Sequence, residues 1–409
     1  MTSIAGGGEQ LVIYNSSDGP LLYLITLGEY IQTYGDRSIL KDRFYHHPSR
    51  TTRTVGEAAH RCVQYIERVL SESPDGLYSV PNTNVLQTSP SGVMRDGSDA
   101  YVRSDGTPAD YSRVAYIENQ GLAHHALQMT AEVLFPDEQE ARVRRTLAHN
   151  LRDAAIERFW MEDKSFFAAA IDRNGQIDML SSAVFELLDS PFFEGVKGGG
   201  DYVEGLVRKL YDDESFMTPI GARMISLEQS YLEGDDYYSY QGSGVVWPVT
   251  NGIIANGLSR WSLQWLARDL GVRRLVGGIE QSRQAFELTY VHRLSNAPMY
   301  KPSNHKVGDD LKKVIYASDR AQPNQAWTAS AGLRQLHRLA QPTESKSNNP
   351  HLELLDEYMA KKLLDGEMPT AIDSVPNKYF VTCDYDKGAR LKSERAADLK
   401  GKKSRPREI

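Results

Sequence analysis

The stretch PLLYLITLGEYIQTYGD, residues 20–36, decides the fold class. Its apolar residues recur with the spacing of one helical face, and Gly35 follows the last of them, where a left-handed helix cap favours glycine. Outward from this stretch the same spacing predicts further helices, whereas strand-like alternation is scarce. The further helices are predicted at residues 54–70, 115–135, 137–159, 177–188, 202–211, 249–270, 277–290, 324–339 and 351–364. The chain is therefore predicted to be all-α.

Long loops rich in Gly, Asp, Tyr and Pro separate several of these helices. They lie at residues 75–111, 233–248 and 294–323. Loops of this length in a compact domain are usually functional or disordered. Helix pairs with alternating short and long connections are typical of a toroid of helical hairpins, so we expect an incomplete toroid over residues 13–370. A short lead of residues 1–12 precedes it, and residues 371–409 form an extension whose basic tail is expected to be disordered.

Composition limits the possible partners. The chain has 409 residues, of which 40% are hydrophobic and 25% charged, and its net charge is −7. This acidic balance argues against a general nucleic-acid or anionic-membrane surface, because either needs a positive face. Cys62 and Cys383 lie far apart without metal-ligand spacing, so no metal site is expected. No apolar run approaches the roughly 18 residues of a membrane span, and we expect a soluble cytoplasmic protein.

The most informative loop is GVMRDGSDA, residues 92–100, which leads towards the helix that begins near IENQG, residues 117–121. A carboxylic acid presented from a loop at the mouth of a rigid scaffold is the arrangement that glycoside hydrolysis requires. Asp96 is therefore the candidate acid. The alternative is a loop aspartate that accepts local backbone hydrogen bonds in an Asp-Gly turn.

Six segments in a fixed order carry a family resemblance. They are residues 14–22 (YNSSDGPLL) with 34–37, 94–96 (MRD), 117–121, 158–168, 240–248 (YQGSGVVWP) and 323–327 (PNQAW). Together they resemble the glucosidase domain of glycogen debranching enzymes and the related amylo-α-1,6-glucosidase-like six-hairpin glycosidases. Each segment is short, and their order across residues 11–340 makes the resemblance specific.

The resemblance implies an (α/α)6 toroid that hydrolyses an α-glucosidic or related bond with inversion, and it implies Asp96 as the general acid. It implies an oligosaccharide or glycoside as substrate and no cofactor, and it leaves the oligomeric state open. The substrate-binding residues carried over by position are Asp18, Arg95, Asp99, Glu118, Tyr240, Gln241, Trp247, Gln325 and Trp327.

Several of these residues have a structural alternative. Asp18 precedes Pro20 and suits a helix start as well as it suits a sugar contact. Glu118 could equally be a solvated helix position. For Trp327 packing is favoured over stacking on a sugar, and for Trp247, in a glycine-rich loop, stacking is slightly favoured.

Two departures from the family pattern open alternatives. Only about a dozen residues precede the first motif, so the toroid is expected to lack its first hairpin. Residues 292–300 (HRLSNAPMY) contain no glutamate where the family has its general base. Candidate bases are then the loop acids Glu233, Asp235, Asp236, Asp309, Asp310 and Asp319. A catalytically weak or inactive carbohydrate-binding homologue is the main alternative, and a lyase or epimerase on the same scaffold is a third.

Overall fold

A computed structural model gives the fold of the chain. It describes residues 3–6, 9–12, 16–46, 50–81, 92–95, 100–211, 215–228, 242–280, 288–291, 298–299, 326–340 and 350–364. The chain divides into two compact units. Unit 1 comprises Met1–Arg103, Pro108–Asp178 and Ser190–Phe192, and unit 2 comprises Ser104–Thr107, Met179–Asp189 and Phe193–Ile409.

Helices dominate the described part of unit 1. They are α1 at Gly19–Tyr34, α2 at Val55–Ser71, α3 at Ile117–Met129 and α4 at Glu138–Phe159. A π-helical turn at Thr130–Leu134 continues α3, and short 3-10 segments lie at Ser38–Lys41 and Pro191–Phe193. The predicted helices at residues 20–34, 54–70, 115–135 and 137–159 are confirmed to within a few residues.

Local capping explains these boundaries. Gly35 ends α1 with a φ of 68°, the left-handed conformation expected of a C-terminal glycine. Thr54 and Glu57 form a reciprocal capping box at the start of α2. The Asp137 side chain accepts a hydrogen bond from the Glu140 N–H at the start of α4. Three of the predicted boundaries therefore rest on local interactions that are readable in the sequence, two of them side-chain caps and one a glycine cap.

One apolar core joins the four helices of unit 1. Each buried leucine or isoleucine stabilises the folded unit by roughly 1.5–3 kcal/mol. The core includes Leu21, Leu24, Ile25, Leu27 and Ile31 of α1, Ala59, Val63 and Ile66 of α2, Ala123, Ala126 and Leu127 of α3, and Ala148 and Leu151 of α4.

Two contacts bring the ends of α1 and α3 together. A Cβ added to Gly28 would lie 2.9 Å from the Met129 sulfur, so glycine permits this close approach. The Arg37 guanidinium donates to the backbone oxygens of Val133 at 2.6 Å and Leu134 at 2.9 Å. These carbonyls end the π-helical turn, where intrahelical donors are lacking. Arg37 thus satisfies them from the turn that follows α1.

The strands of unit 1 are short and antiparallel. They are β1 Ser3–Gly6, β2 Glu9–Val12, β3 Arg43–His46, β4 Thr51–Thr54, β5 Val80–Pro81, β6 Arg113–Tyr116, β7 Trp160–Met161, β8 Phe166–Phe167, β9 Ala170–Asp172 and β10 Gly175–Ile177. One sheet has the order β10-β9-β6-β5, and the other strands form the hairpins β1-β2, β3-β4 and β7-β8. Strand β6 runs directly into α3, and Ala115 pairs with Ile171 of β9. The sheet therefore fixes where α3 begins.

Unit 2 is also mainly helical in its described part. Its helices are a 3-10 helix at Ser182–Asp189, α5 Gly199–Tyr211, α6 Pro248–Arg260, α7 Gln264–Glu280, α8 Ala326–Ala340 and α9 Pro350–Leu364. Its strands are β11 Met217–Thr218, β12 Gly221–Ala222, β13 Val245–Val246, β14 Thr289–Val291 and β15 Pro298–Met299. Strands β13-β14-β15 form one antiparallel sheet, and β11 pairs with β12.

Three helix predictions in this part of the sequence are wrong in extent or type. Residues 177–188 contain the end of β10 and a 3-10 helix, not an α-helix. Residues 249–270 form parts of two helices, α6 and α7, separated at residues 261–263. Of the helix predicted at 277–290, residues 277–280 are the last turn of α7, Thr289–Val291 is a strand, and residues 281–287 lie outside the described residues.

At the level of class, the prediction is confirmed: the described residues are mostly helical with short strands. The toroid, the missing first hairpin and the boundaries at residues 12 and 370 stay predictions. None of the described helices is long and apolar enough to cross a membrane.

The 3-10 helix of unit 2 packs closely against α6. A Cβ built on Gly257 would lie 2.5 Å from the Leu188 Cβ, 2.6 Å from the Leu188 carbonyl carbon and 2.7 Å from the Asp189 nitrogen. Two of these three atoms belong to the backbone, so the clash is not relieved by a side-chain rotation. A side chain at Gly257 must separate the two helices.

We expect Gly257→Ala to lower the free energy of unfolding by about 1–3 kcal/mol, as overpacking does. Gly205→Ala in α5 is the matched control, because nothing lies within 4 Å of its added Cβ. The control should raise stability by about 1 kcal/mol through helix propensity. Urea unfolding of both variants measures the difference, and equal stability would contradict the close approach.

Asp356 of α9 caps the start of α7. Its carboxylate accepts the N–H groups of Trp265 at 3.0 Å and Leu266 at 3.1 Å. Burial raises the pKa of Asp356 to about 6, although these backbone hydrogen bonds act in the opposite direction. The folded unit therefore holds a proton on this carboxyl at a pH where the unfolded chain has released it.

The sign of the pH dependence follows from this raised pKa. The stabilising contribution of Asp356 should be complete below about pH 4 and lost as the pH rises through about 6, a change of up to about 3 kcal/mol. Asp356→Asn lacks this titration. We expect the variant to gain stability relative to wild type as the pH is raised from 4 to 7, measured by urea unfolding at each pH. A constant difference across that range would contradict the raised pKa.

Candidate active site

The segment directly before Asp96 is held against the start of α1. Ser17 donates to the Gly92 carbonyl twice, from its N–H at 2.8 Å and from its hydroxyl at 3.1 Å. The Met94 N–H donates to Asp18 Oδ2 at 2.8 Å. Hydrogen bonds to Ser17 and Asp18 therefore hold the backbone of this segment at Gly92 and at Met94.

Asp18 occupies the N-cap position of α1, but its side chain makes no capping hydrogen bond to the helix. Its two carboxylate oxygens accept instead from the Met94 N–H and from the Ser16 hydroxyl. Asp18 is buried. Its described contacts thus assign it a third role, support of the segment before Asp96, beside the helix start and sugar contact expected from sequence.

Arg95 and Glu118 form a buried ion pair. Arg95 Nε lies 3.7 Å from Glu118 Oε1, and the two residues are 1% and 5% exposed. Glu118 stands in the first turn of α3, where the helix dipole favours a carboxylate. The structure therefore brings together two of the predicted site residues, and it buries them rather than leaving Glu118 as a solvated helix position.

Tyr101 completes this cluster. Its hydroxyl donates to Glu118 Oε1, and its ring lies 4.6 Å from that of Tyr116 at the end of β6. Burial, and then the Glu118 carboxylate, raise the pKa of Tyr101 well above its ordinary value. Tyr101 is consequently protonated at neutral pH, and it is a hydrogen-bond donor.

The next two residues of α3 support the same region. Asn119 donates to the Ser17 hydroxyl at 3.0 Å. Gln120 pairs with the Tyr78 backbone, accepting from its N–H at 2.8 Å and donating to its carbonyl at 3.0 Å. The Tyr78 hydroxyl in turn donates to the Ser17 carbonyl at 2.9 Å. Consecutive polar residues of α3 are thus directed inwards.

Tyr101, Ser17, Asn119 and Gln120 were not predicted as site residues from the sequence. The available signal for Asn119 and Gln120 was their place in the motif IENQG, residues 117–121, and for Ser17 its place in the family-like segment of residues 14–22. Tyr101 belongs to no motif, so only the structure relates it to Glu118.

Trp247 lies in unit 2, immediately before α6. It is 1% exposed, and its carbonyl accepts from the Asn251 side chain at 3.0 Å. The indole is therefore buried, and stacking of Trp247 against a sugar stays a prediction. The buried Arg223 donates to the carbonyl of Ser243, within the same glycine-rich segment, at 2.9 Å.

The remaining predicted site residues lie outside the described part of the chain. These are Asp96, Asp99, Tyr240, Gln241 and Gln325, together with the side chain of Trp327, whose backbone lies in α8. The candidate bases Glu233, Asp235, Asp236, Asp309, Asp310 and Asp319 lie outside it as well. Among the described residues, no group of three or more His, Cys, Asp or Glu side chains could hold a metal ion.

Comparison with known proteins gives matches to solved structures alone. No family model and no curated protein matches the sequence. A sialidase is similar over 50% of this chain and 18% of its own, with 13% identity and a TM-score of 0.38. The neutral trehalase Nth1 from Saccharomyces cerevisiae is similar over 65% of this chain and 42% of its own, with 11% identity and a TM-score of 0.38. The chain thus spans less than half of either, and similarities of this extent assign it neither activity nor substrate.

Proposed function

We propose that the protein is a glycoside hydrolase acting on an α-glucosidic or related bond by inversion, with Asp96 as the general acid. One structural observation supports the proposal. Arg95, the residue before Asp96, is buried beside Glu118, and the Met94 N–H is hydrogen-bonded to Asp18 at the start of α1. Asp18, Arg95 and Glu118 each belong to a different one of the six family-like segments. A general acid requires such a fixed backbone.

Inversion uses two carboxyl groups on opposite faces of the sugar. The acid protonates the leaving oxygen, and a base roughly 6.5–9.5 Å away activates water. An acid that works near neutral pH needs a raised pKa, which a neighbouring positive charge opposes. The Arg95 guanidinium lies beside the Glu118 carboxylate, so the positive charge adjacent to Asp96 in sequence has a counter-charge. By balancing the charge of Arg95, Glu118 therefore favours the function of Asp96 as a general acid.

Sugar binding is proposed for the substrate-binding residues implied by the resemblance, apart from Asp18, Arg95 and Glu118. They are Asp99, Tyr240, Gln241, Trp247, Gln325 and Trp327. For Asp18, Arg95 and Glu118, the described contacts are within the protein, so we assign them to support of the site. The base is to be sought among the loop acids.

A second candidate function is carbohydrate binding with weak or no hydrolysis. Residues 292–300 favour it, because they contain no glutamate at the place of the family's base. Loss of base catalysis and of water positioning together lowers hydrolysis by several orders of magnitude.

One experiment separates the two candidates. The folded full-length protein is incubated with a panel of α-linked glucosides and mannosides, reducing-sugar release is measured, and proton NMR follows the first anomer formed. We expect release of the inverted anomer from at least one α-glucoside. Saturable oligosaccharide binding without release over a long incubation would establish the binding function instead, and a retained anomer would refute inversion.

A further inference from the structure

Glu118 contacts the chain on both sides of the segment that carries Asp96. Arg95 immediately precedes Asp96, and its guanidinium lies 3.7 Å from Glu118 Oε1. Tyr101 follows the same segment, and its hydroxyl donates to the same oxygen. Two residues six positions apart in sequence thus converge on a single carboxylate at the start of α3.

We infer that Glu118 forms a clamp with Arg95 and Tyr101 that holds the two ends of the segment carrying Asp96, and that Tyr101 is therefore a positioning residue for the proposed general acid. The role of Tyr101 in positioning Asp96 for catalysis rests on the proposed function. The fixing of both ends of the segment stands independently of any activity.

Backbone hydrogen bonds hold the chain at or next to both partners of Glu118. On one side, the Met94 N–H is bonded to Asp18, so the chain enters Arg95 from a fixed point. On the other side, the Ala109 N–H donates to the Tyr101 carbonyl at 2.9 Å. A segment whose two ends are fixed has fewer conformations to lose when a reacting group is oriented. The clamp therefore fixes the two described ends of the segment that carries Asp96.

The chemistry of the three groups suits a permanent contact. Burial and the Glu118 carboxylate hold the pKa of Tyr101 well above its ordinary value, so its hydroxyl is a hydrogen-bond donor at neutral pH. Hydrogen bonds to charged groups are stronger than neutral ones. Glu118 is 5% exposed and sits between two partners, so the clamp uses the carboxylate that the resemblance would assign to a sugar.

The test compares Tyr101→Phe with Tyr116→Phe. Both substitutions remove one buried hydroxyl from the same pair of rings, but only Tyr101 donates to Glu118 among the described hydrogen bonds. Hydrogen exchange by mass spectrometry is measured on the full chain for the peptide covering residues 92–103. Tyr101→Phe should raise exchange there roughly 10- to 100-fold, as loss of a charged hydrogen bond does. Tyr116→Phe should leave it unchanged.

Equal exchange in the two variants would overturn the clamp. Should Tyr101→Phe fail to fold, Glu118→Gln serves in its place, because the amide keeps an acceptor for Tyr101 but removes the charge beside Arg95. This variant should also raise exchange in residues 92–103, and wild-type exchange in it would overturn the clamp.

Kinetics tests the catalytic part separately. On a glycoside that wild type hydrolyses, Tyr101→Phe should lower kcat roughly 10-fold or more with KM changed less than twofold, because misplacing a reacting group affects the chemical step. An unchanged kcat would overturn the positioning role. If wild type hydrolyses no glycoside but Tyr101→Phe still raises local exchange, the proposed function fails and the clamp stands.

Discussion

Asp96→Asn should lower kcat/KM for α-glucoside hydrolysis roughly 10²- to 10⁴-fold, the range that loss of a general acid produces. Asparagine has nearly the volume of aspartate and keeps an acceptor oxygen, but it has no proton to give to the leaving oxygen. Binding of an unreactive oligosaccharide and the free energy of unfolding should therefore remain close to wild type. Initial rates, calorimetric binding and urea unfolding measure the three quantities.

The matched control for this prediction is Asp153→Asn on the surface of α4. Asp153 has a 64% exposed side chain and pairs only with its neighbour Arg152 among the described ion pairs. The same chemical change there should leave kcat/KM at the wild-type value. On a glycoside that wild type hydrolyses, an Asp96→Asn enzyme as active as this control would remove Asp96 from the mechanism.

Glu118→Ala should have the largest effect on stability, lowering the free energy of unfolding by about 3–5 kcal/mol. The variant leaves Arg95 buried without the described carboxylate beside it, and it also leaves the Tyr101 hydroxyl without its acceptor. Both losses occur in a water-poor region where neither group is readily resolvated. Urea unfolding followed by circular dichroism measures the change.

A double variant identifies the cause of this loss. Arg95→Met combined with Glu118→Gln removes both charges and keeps side chains of similar length, so no unpaired charge remains in the core. Replacing a buried ion pair in this way is often nearly neutral. The double variant should therefore be markedly more stable than Glu118→Ala. If the two are equally unstable, packing around Glu118 matters more than its charge.

Where local chemistry decides the structure, the sequence predicts it well. Helix α1 ends at Gly35, α2 begins after Thr54 and α4 begins after Asp137, because each boundary depends on a residue within one turn of it. The region of the candidate site was predicted on a different basis, the resemblance of short motifs to a known family. Short motifs identified residues 92–96 and 117–121, and the structure brings the described residues of both segments together.

Where distant partners decide the structure, the sequence does not predict it. The 3-10 helix Ser182–Asp189 is buried on almost every side, so its apolar residues do not recur at the spacing of one helical face. Its form depends on tertiary contacts such as the hydrogen bond from the Ser182 N–H to the Met224 carbonyl. Strand Thr289–Val291 pairs with Val245–Val246, more than forty positions earlier. The role of Tyr101 has the same origin, since it depends on a partner seventeen residues away.

The bond between Ser17 and Asn119 spans 102 positions of the chain, and α1 shares its core with α3 over a similar separation. During synthesis at about 5–20 residues per second, α1 leaves the ribosome roughly 5–20 s before the helix that covers it. For that interval its leucines and isoleucines are exposed to other nascent chains. The N-terminal helix is thus the segment for which we expect a chaperone to compete, and slowing translation upstream of α3 should lower the yield of folded protein.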